Sequence, residues 1–241
     1  MVKANKKSRL LATGLTVVAC LLLPSVTNFT TSSAKASDPL SITEASSLWV
    51  VVNKLAPLNP TTYKPENLTT PRFGADLNAN PYGRELRKEA AYAAIELAKA
   101  MKRVGKGSLV IQSGYRSFSE QTTVHERQVA RYGLLAGEAL AARPGYSEHQ
   151  TGLAMDVSAR NQGCQIRVCF GETKAGKWLA SNAYRYGFII RYPRYATPVT
   201  GYQYEPWHLR FVGKDLATQL HTQDIQTLEQ FFKLPSAPNY P

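Results

Sequence analysis

The sequence predicts an α+β domain in which a small, mostly antiparallel sheet is flanked by helices. Its 241 residues are 44% hydrophobic and 19% charged, which is typical of globular proteins that bury a core. Segments with strand and helix character do not alternate strictly as βαβ units, and the sequence has no glycine-rich phosphate-binding turn. No repeat with a period of about 20 to 50 residues is present, which excludes solenoids and propellers.

The first 36 residues are typical of an export signal. Basic residues precede an apolar run from Leu10 to Val26, and Ala34-Lys35-Ala36 has the small residues that a signal peptidase requires. We therefore predict a signal peptide at 1–36, a mature chain that starts near Ser37, and an extracytoplasmic location. Two alternatives stay open, namely an uncleaved N-terminal segment that associates with the membrane and lipidation at Cys20.

The net charge gives a broad indication of partners. It falls from +12 to +7 when residues 1–36 are removed, since they hold five basic residues and no acidic one. A positive balance suits a polyanionic surface such as a cell wall. The sequence has no block of basic residues, no zinc finger and no aromatic RNA-binding motif, so we predict no nucleic-acid partner, and we expect a monomer.

Residues 37–84 are predicted to form an extended N-terminal arm. The run Leu48 to Asn53 has β character, and four later prolines, the first at Pro57, exclude long helices. A helix is predicted from Glu85 to Val104, because apolar residues recur there at steps of three and four, and the glycines that follow end it.

The next segments predict the sheet and the remaining helices. Ser108–Ser113, Leu153–Ala159, Phe188–Tyr192 and Trp207–Val212 have strand character. The predicted helices are Ser119–Tyr132, capped by Ser119, Lys174–Tyr186 and a closing helix over Asp215–Phe232. Together they place a catalytic domain at 85–234, followed by a flexible tail at 235–241.

Two segments combine an imidazole with a carboxylate. His149 precedes Asp156 by seven residues, so a straight strand would direct the two side chains to opposite faces. They can meet only if the chain bends between them, and Gly152 permits a bend. In the second segment Glu205 precedes His208 by three residues.

These residue types suit a catalytic zinc site with an open coordination position. His149, Asp156 and His208 would be the ligands, and water would take the fourth position. Glu205 would then be free to act as general base, and Arg116 would stabilise a developing oxyanion. The spacing by itself leaves other interpretations open, since a histidine beside an aspartate also forms ordinary hydrogen-bonded pairs and arginines often serve structure.

Three sequence blocks resemble the signatures of the VanY-type D-alanyl-D-alanine carboxypeptidases, which are zinc peptidases of the wider LAS group. The blocks are Ser113-Gly114-Tyr115-Arg116-Ser117 with Gln121, then Ser147-x-His149-x-x-Gly152-x-Ala154-x-Asp156, and finally Glu205-Pro206-Trp207-His208. The resemblance extends from Leu48 to Val212, and no signature position departs from the pattern.

The resemblance implies a fold and a set of roles. The fold would be like that of hedgehog and the DD-peptidases. Zn²⁺ would be bound by His149, Asp156 and His208, with Glu205 as general base and Arg116 polarising the scissile carbonyl. Gln121 and Ser147 would contact the terminal residue of the substrate, which would be a peptidoglycan stem peptide.

The two cysteines after residue 36, Cys164 and Cys169, are expected to join as a local disulfide in an oxidising compartment. The expected activity is therefore that of a secreted zinc carboxypeptidase that removes the terminal D-alanine. An L,D-carboxypeptidase or an endopeptidase with the same zinc site is the nearest alternative. A non-catalytic wall-binding module is a more distant one, because closed structural zinc sites normally have four protein ligands.

Overall fold

The structure is a computed structural model, and it describes residues 40–241. The predicted signal peptide at 1–36 lies outside this range. Among residues 40–241, no helix has both the length and the apolar character needed to cross a membrane.

A four-stranded antiparallel sheet forms the centre of the domain. Its strands are β3 (Leu109–Ser113), β4 (Ala154–Ala159), β5 (Phe188–Ile190) and β6 (His208–Phe211), in the spatial order β3-β4-β6-β5. A second, two-stranded sheet pairs β1 (Leu68–Thr69) with β2 (Leu86–Arg87). Together with the helices around it, the antiparallel sheet confirms the predicted α+β class.

Helix α1 (Lys88–Arg103) covers the sheet. Its Leu97 and Met101 are fully buried and belong to the same apolar cluster as Met155 and Leu209 of the central strands. The predicted helix begins three residues earlier, at Glu85, but Leu86 and Arg87 instead pair with β1.

Helix α2 (Phe118–Tyr132) is capped by Ser117 and not by the predicted Ser119. The Ser117 hydroxyl accepts a hydrogen bond from the backbone N–H of Glu120, and the Glu120 side chain accepts one from the N–H of Ser117. This reciprocal capping box satisfies two backbone donors at once, which a cap at Ser119 would not achieve. A short helix, α3 (Leu134–Glu138), follows.

The C-terminal half has shorter helices than predicted. Helix α4 (Lys174–Asn182) continues as a 3₁₀ turn at Ala183–Tyr186, and α5 (Thr197–Thr200) is a single turn. The predicted closing helix is two helices, α6 (Lys214–Thr222) and α7 (Leu228–Phe231). The break occurs because Asp224 has a positive φ of 53° and Thr227 caps a new helix through the N–H of Gln230.

The predicted strand over Leu48–Asn53 is absent, although these residues are largely buried. Neighbouring loop backbone and side chains of the domain, and not another strand, provide the hydrogen-bond partners of this segment: the N–H of Val51 donates to the carbonyl of Ile42, and Asn53 pairs with Ala56. Arg210 donates to the carbonyls of Leu48 and Val50, while the indole of Trp49 donates to the carbonyl of Val212. A β-like run can thus be buried without entering a sheet when side chains satisfy its carbonyl groups.

The tail at 235–241, predicted to be flexible, is held against the domain. Ala237 is fully buried and its N–H donates to the carbonyl of Val199. The Tyr240 hydroxyl accepts a hydrogen bond from the N–H of Arg143, and the ring packs edge-on against Tyr146. Half-buried aromatic contacts and backbone hydrogen bonds therefore hold the segment that was predicted to be flexible.

Candidate active site

The chain reverses direction just before β4, and this reversal brings His149 next to Asp156. Glu148–Thr151 form a 3₁₀ turn that ends at Gly152, where φ is +68°. A Cβ at Gly152 would lie 3.0 Å from the Leu68 side chain and 3.2 Å from the Arg87 nitrogen, so space as well as φ favours glycine. The predicted bend between the imidazole and the carboxylate is therefore present at the predicted residue.

Strand pairing brings the third side chain to the same place. Asp156 of β4 lies directly opposite His208 of β6 in the antiparallel register. Side chains of directly opposed residues lie on one face of a sheet. Two adjacent strands therefore fix the positions of Asp156 and His208 relative to each other.

The two imidazoles and the carboxylate converge on one point. One ligand atom from each of His149, Asp156 and His208 lies within 4.8 Å of the other two. Nε2 of His149 is 3.2 Å from Oδ2 of Asp156, and Nδ1 of His208 is 3.2 Å from Oδ1 of the same carboxylate. All three residues are buried.

The hydrogen-bond pattern of this cluster fits a metal ion. Oδ1 of Asp156 is buried and has no hydrogen-bond partner, which is costly for a carboxylate oxygen unless a cation lies beside it. Two imidazole nitrogens and one carboxylate oxygen are a donor set of catalytic zinc sites. Nδ1 of His149 lies 2.8 Å from the carbonyl of Gly114, and a hydrogen bond donated there leaves Nε2 as the ligand atom.

Burial and neighbouring charges shift the pKa values of the cluster in different directions. Burial lowers the pKa of His149, and Asp156 only partly opposes this. Burial also acts against ionisation of Asp156, yet His149 and His208 hold its pKa well below the ordinary range. Burial lowers the pKa of His208, but the surrounding carboxylates of Asp156, Glu148 and Glu205 outweigh it and raise the pKa to about 9.

Glu205 lies beside the cluster, at the turn that leads into β6. Its Oε2 is 3.7 Å from Nδ1 of His208, and the N–H of His208 donates to the Glu205 carbonyl. Burial raises the pKa of Glu205 to about 8, although the positive charge of His208 acts in the opposite direction. A carboxyl group with a pKa near neutrality can both accept and release a proton, as general acid–base catalysis requires.

Arg116 reaches the cluster from the segment between β3 and α2. One of its terminal nitrogens is 3.0 Å from the Ser113 hydroxyl and 3.9 Å from Oδ2 of Asp156. The other donates to Oε1 of Gln121 at 2.7 Å. The guanidinium is therefore fixed on two sides while its side chain stays partly exposed to the cavity.

Gln121 and Ser147, the two predicted substrate contacts, both line the cavity in front of the cluster. The amide of Gln121 already has two partners, since it accepts from Arg116 and donates to the carbonyl of Ala142 at 2.7 Å. In this structure Gln121 positions Arg116. Direct contact of Gln121 or Ser147 with a substrate stays a prediction.

The cavity has a volume of about 340 Å³, and apolar residues form much of its wall. The polar groups cluster at one place, around His149, Asp156, Glu205, His208 and Arg116. Apolar and aromatic residues form the remaining sides, among them Val124, Tyr132, Leu140, Ile166, Tyr192, Tyr202 and Trp207. A cavity in which a few polar groups converge between apolar and aromatic side chains is typical of sites for small organic or peptide ligands.

A disulfide joins Cys164 and Cys169 in the loop after β4. Ile166 lies inside this loop, has a positive φ of 51°, and contributes its side chain to the cavity wall. Positive φ is rare for a β-branched residue, so contacts outside Ile166 itself must hold this loop conformation.

Sequence reasoning gave no role to Glu148, although it is adjacent to His149. Its side chain is fully buried, with Oε2 lying 3.4 Å from Nε2 of His208. The other partners of Glu148, Arg191 and Arg210, are 43 and 62 residues away along the chain. No local sequence signal identifies them, because only the fold brings them together.

Comparison with known proteins gives consistent matches. Residues 83–214 match the family described as VanY, D-alanyl-D-alanine carboxypeptidase. The putative carboxypeptidase YodJ from Bacillus subtilis strain 168 is 43% identical over 183 residues, which cover 76% of this chain and 66% of that protein. This chain spans only 40 to 66% of the length of three curated relatives that it matches.

Two solved structures share the fold and 30 to 41% of the aligned residues. The LdcB LD-carboxypeptidase has a TM-score of 0.69 and 41% identity, and the match covers 78% of this chain and 87% of that one. A mutant of the vancomycin resistance D,D-pentapeptidase VanY, in complex with Zn(II), has a TM-score of 0.64 and 30% identity. That match covers 78% of this chain and 99% of the other.

Proposed function

Because this chain belongs to the VanY D-alanyl-D-alanine carboxypeptidase family, we propose that it is a zinc-dependent carboxypeptidase acting on peptidoglycan stem peptides outside the cytoplasm. The observation that carries the proposal is the convergence of His149, Asp156 and His208 beside the carboxyl group of Glu205 in one cavity. A vancomycin resistance VanY structure contains Zn(II), and the donor set of this chain suits the same ion.

Nε2 of His149, the carboxylate of Asp156 and Nδ1 of His208 would hold the ion. When bound, zinc supplies Lewis-acid chemistry, because it polarises a carbonyl group and makes water more acidic. The two imidazoles and the carboxylate line the cavity. They would bind the ion and leave one side of it open.

Glu205 transfers the proton in this reaction. Its carboxylate accepts a proton from the attacking water and returns it to the nitrogen of the leaving D-alanine. The raised pKa of about 8 suits this exchange, because the group can be reprotonated near neutral pH. No covalent intermediate with the protein is required.

Arg116 stabilises negative charge on the scissile carbonyl oxygen. Its guanidinium stays charged and is held by Ser113 and Gln121, so it needs little rearrangement when charge develops. Ser147 and Gln121 both line the cavity, and we propose that they contact the terminal residue of the peptide.

A specific observation favours a second candidate activity. The LdcB LD-carboxypeptidase matches this chain at 41% identity, compared with 30% for the D,D-pentapeptidase. Removal of a D-alanine that follows an L-configured centre is therefore the alternative. Both activities use the same ligands and the same base.

The test is hydrolysis of defined stem peptides by the purified protein. Pentapeptide ending in D-Ala-D-Ala, tetrapeptide ending in a single D-alanine and a cross-linked stem are each incubated with the zinc-loaded protein, and the released fragment is identified by mass. Release from the pentapeptide alone supports the D,D activity, while release from the tetrapeptide supports the L,D activity. No chelator-sensitive release from any of the three would contradict the proposal.

A further inference from the structure

A buried network of four charged side chains lies against His208. Oε2 of Glu148 is 3.4 Å from Nε2 of His208, and Oε1 of Glu148 accepts hydrogen bonds from Arg191 and Arg210, both at 2.8 Å. Arg191 also makes a two-point contact with Glu229, at 2.9 and 2.6 Å. The four side chains are almost completely excluded from solvent.

The network is balanced in charge and anchored at its far ends. Two carboxylates face two guanidinium groups, so the buried charges compensate each other. Arg210 uses its remaining donors on the carbonyls of Leu48, Val50 and Phe211, while Glu229 accepts from the side chain of Asn53 at 3.0 Å. The N-terminal arm, helix α7 and strand β6 thus all hold the group that contacts His208.

The two nitrogens of His208 have different surroundings. Nδ1 faces Asp156 at 3.2 Å and Glu205 at 3.7 Å, which is the side of the cavity. Nε2 faces Glu148. A carboxylate can only accept a hydrogen bond, so the contact with Glu148 requires a proton on Nε2 and leaves the lone pair of a neutral imidazole on Nδ1.

We propose that Glu148 is a positioning residue, which fixes the tautomer and the ring orientation of His208 so that Nδ1 faces the metal. This inference rests on the proposed role of His208 as a zinc ligand. Outer carboxylates that accept from a ligating histidine commonly increase metal affinity by about 10- to 100-fold. Here Arg191 and Arg210 fix the carboxylate of Glu148. Hydrogen bonds to the N-terminal arm, to β6 and to α7 in turn hold the two arginines.

The experiment compares zinc binding in three variants with the wild type. Replacing Glu148 alone by an apolar residue would leave Arg210 without a counter-charge. The main variant is therefore Glu148→Met/Arg210→Met, which removes one charge of each sign and keeps the contact of Arg191 with Glu229. Glu148→Gln retains an oxygen that can accept from Nε2, and Glu96→Gln, the same substitution at an exposed position of α1, is the matched control.

Zinc affinity is measured by competition with a chelator, and the visible spectrum of the Co²⁺-loaded protein reports the ligand geometry. We expect the double variant to bind zinc about 10- to 100-fold more weakly and to show a changed Co²⁺ spectrum. Glu148→Gln should lower the zinc affinity less than tenfold, because it keeps an acceptor for Nε2, and Glu96→Gln should match the wild type. A folded double variant with the affinity and spectrum of the wild type would overturn the inference.

A measurement on the wild type covers the case in which the double variant does not fold. In ¹⁵N-histidine-labelled protein loaded with zinc, the His208 signals should show a protonated Nε2 and a metal-bound Nδ1. An unprotonated Nε2 would show that Glu148 does not fix the tautomer. If the wild type binds zinc as expected but cleaves no stem peptide, the proposed function fails while this inference stands, whereas absence of zinc binding would overturn both.

Discussion

Replacement of Glu205 by glutamine should separate catalysis from metal binding. The substitution keeps the size of the side chain but removes its ability to accept a proton. General acid–base catalysis is worth about 10² to 10⁴ in rate, so kcat should fall by that factor, which corresponds to about 3 to 5 kcal/mol in the activation barrier. Zinc binding at neutral pH should change far less.

The reason lies in the pKa of Glu205, which burial raises to about 8. In the metal-free protein at pH 7 the neutral carboxyl group is therefore favoured, and a neutral amide is a close substitute for it. Above pH 8 the wild-type carboxylate becomes ionised and attracts the cation, while the amide does not. Because bound zinc favours the carboxylate form, zinc binding to the wild type below pH 8 should release the Glu205 proton, so the difference in zinc affinity between wild type and Glu205→Gln should increase up to about pH 8 and level off above it.

The assay combines chelator competition for zinc with mass detection of the amino acid released from the stem peptide that the wild type cleaves best. Glu96→Gln, on the exposed face of α1, is the matched control and should behave as the wild type. His208→Ala should lose both zinc and turnover, because it removes a ligand. Full hydrolysis by Glu205→Gln would refute the assigned base, and loss of zinc at pH 7 would show that Glu205 is itself a ligand.

Three further predictions concern the residues around the cluster. Arg116→Met should lower kcat by about 10² to 10³ while zinc stays bound, since it removes a donor to the developing oxyanion, and kinetics together with metal analysis would check this. Gly152→Ala should destabilise the fold by about 1 to 3 kcal/mol, as measured by chemical denaturation, because of its positive φ and the nearby Leu68 and Arg87. Burial opposes ionisation of Glu148, yet Arg210 and Arg191 hold its pKa well below the ordinary 4.5. The stability that it contributes should be fully present above about pH 4.5 and be lost as the pH falls further, whereas Glu148→Met/Arg210→Met should lose less stability over the same acid range.

Local patterns in the sequence predicted most of the fold. Apolar periodicity identified α1, and β-branched or alternating runs identified the four strands of the central sheet. Residue types and a possible bend at Gly152 suggested the three candidate ligands, and the resemblance of three sequence blocks to a known family assigned them. Each of these signals lies within a short stretch of chain.

The missed features depend on contacts between distant segments. The run Leu48–Asn53 has strand character, yet it is held by Arg210 and packs without entering the sheet. The tail at 235–241 is ordered by contacts with Val199 and Arg143 that its own composition does not reveal. Glu148 could not be assigned from sequence because its significance depends on two arginines far along the chain.

The pairing of Asp156 with His208 across β4 and β6 has a consequence for folding. A shift of one residue between these strands would turn one of the two side chains to the opposite face of the sheet, and the cation would lose a ligand. An ion bound there thus selects the native strand alignment over its misaligned competitors. At a free zinc concentration 100 times the Kd, this selection would stabilise the folded protein by about 2.7 kcal/mol, so assembly of the enzyme and acquisition of its metal are thermodynamically linked.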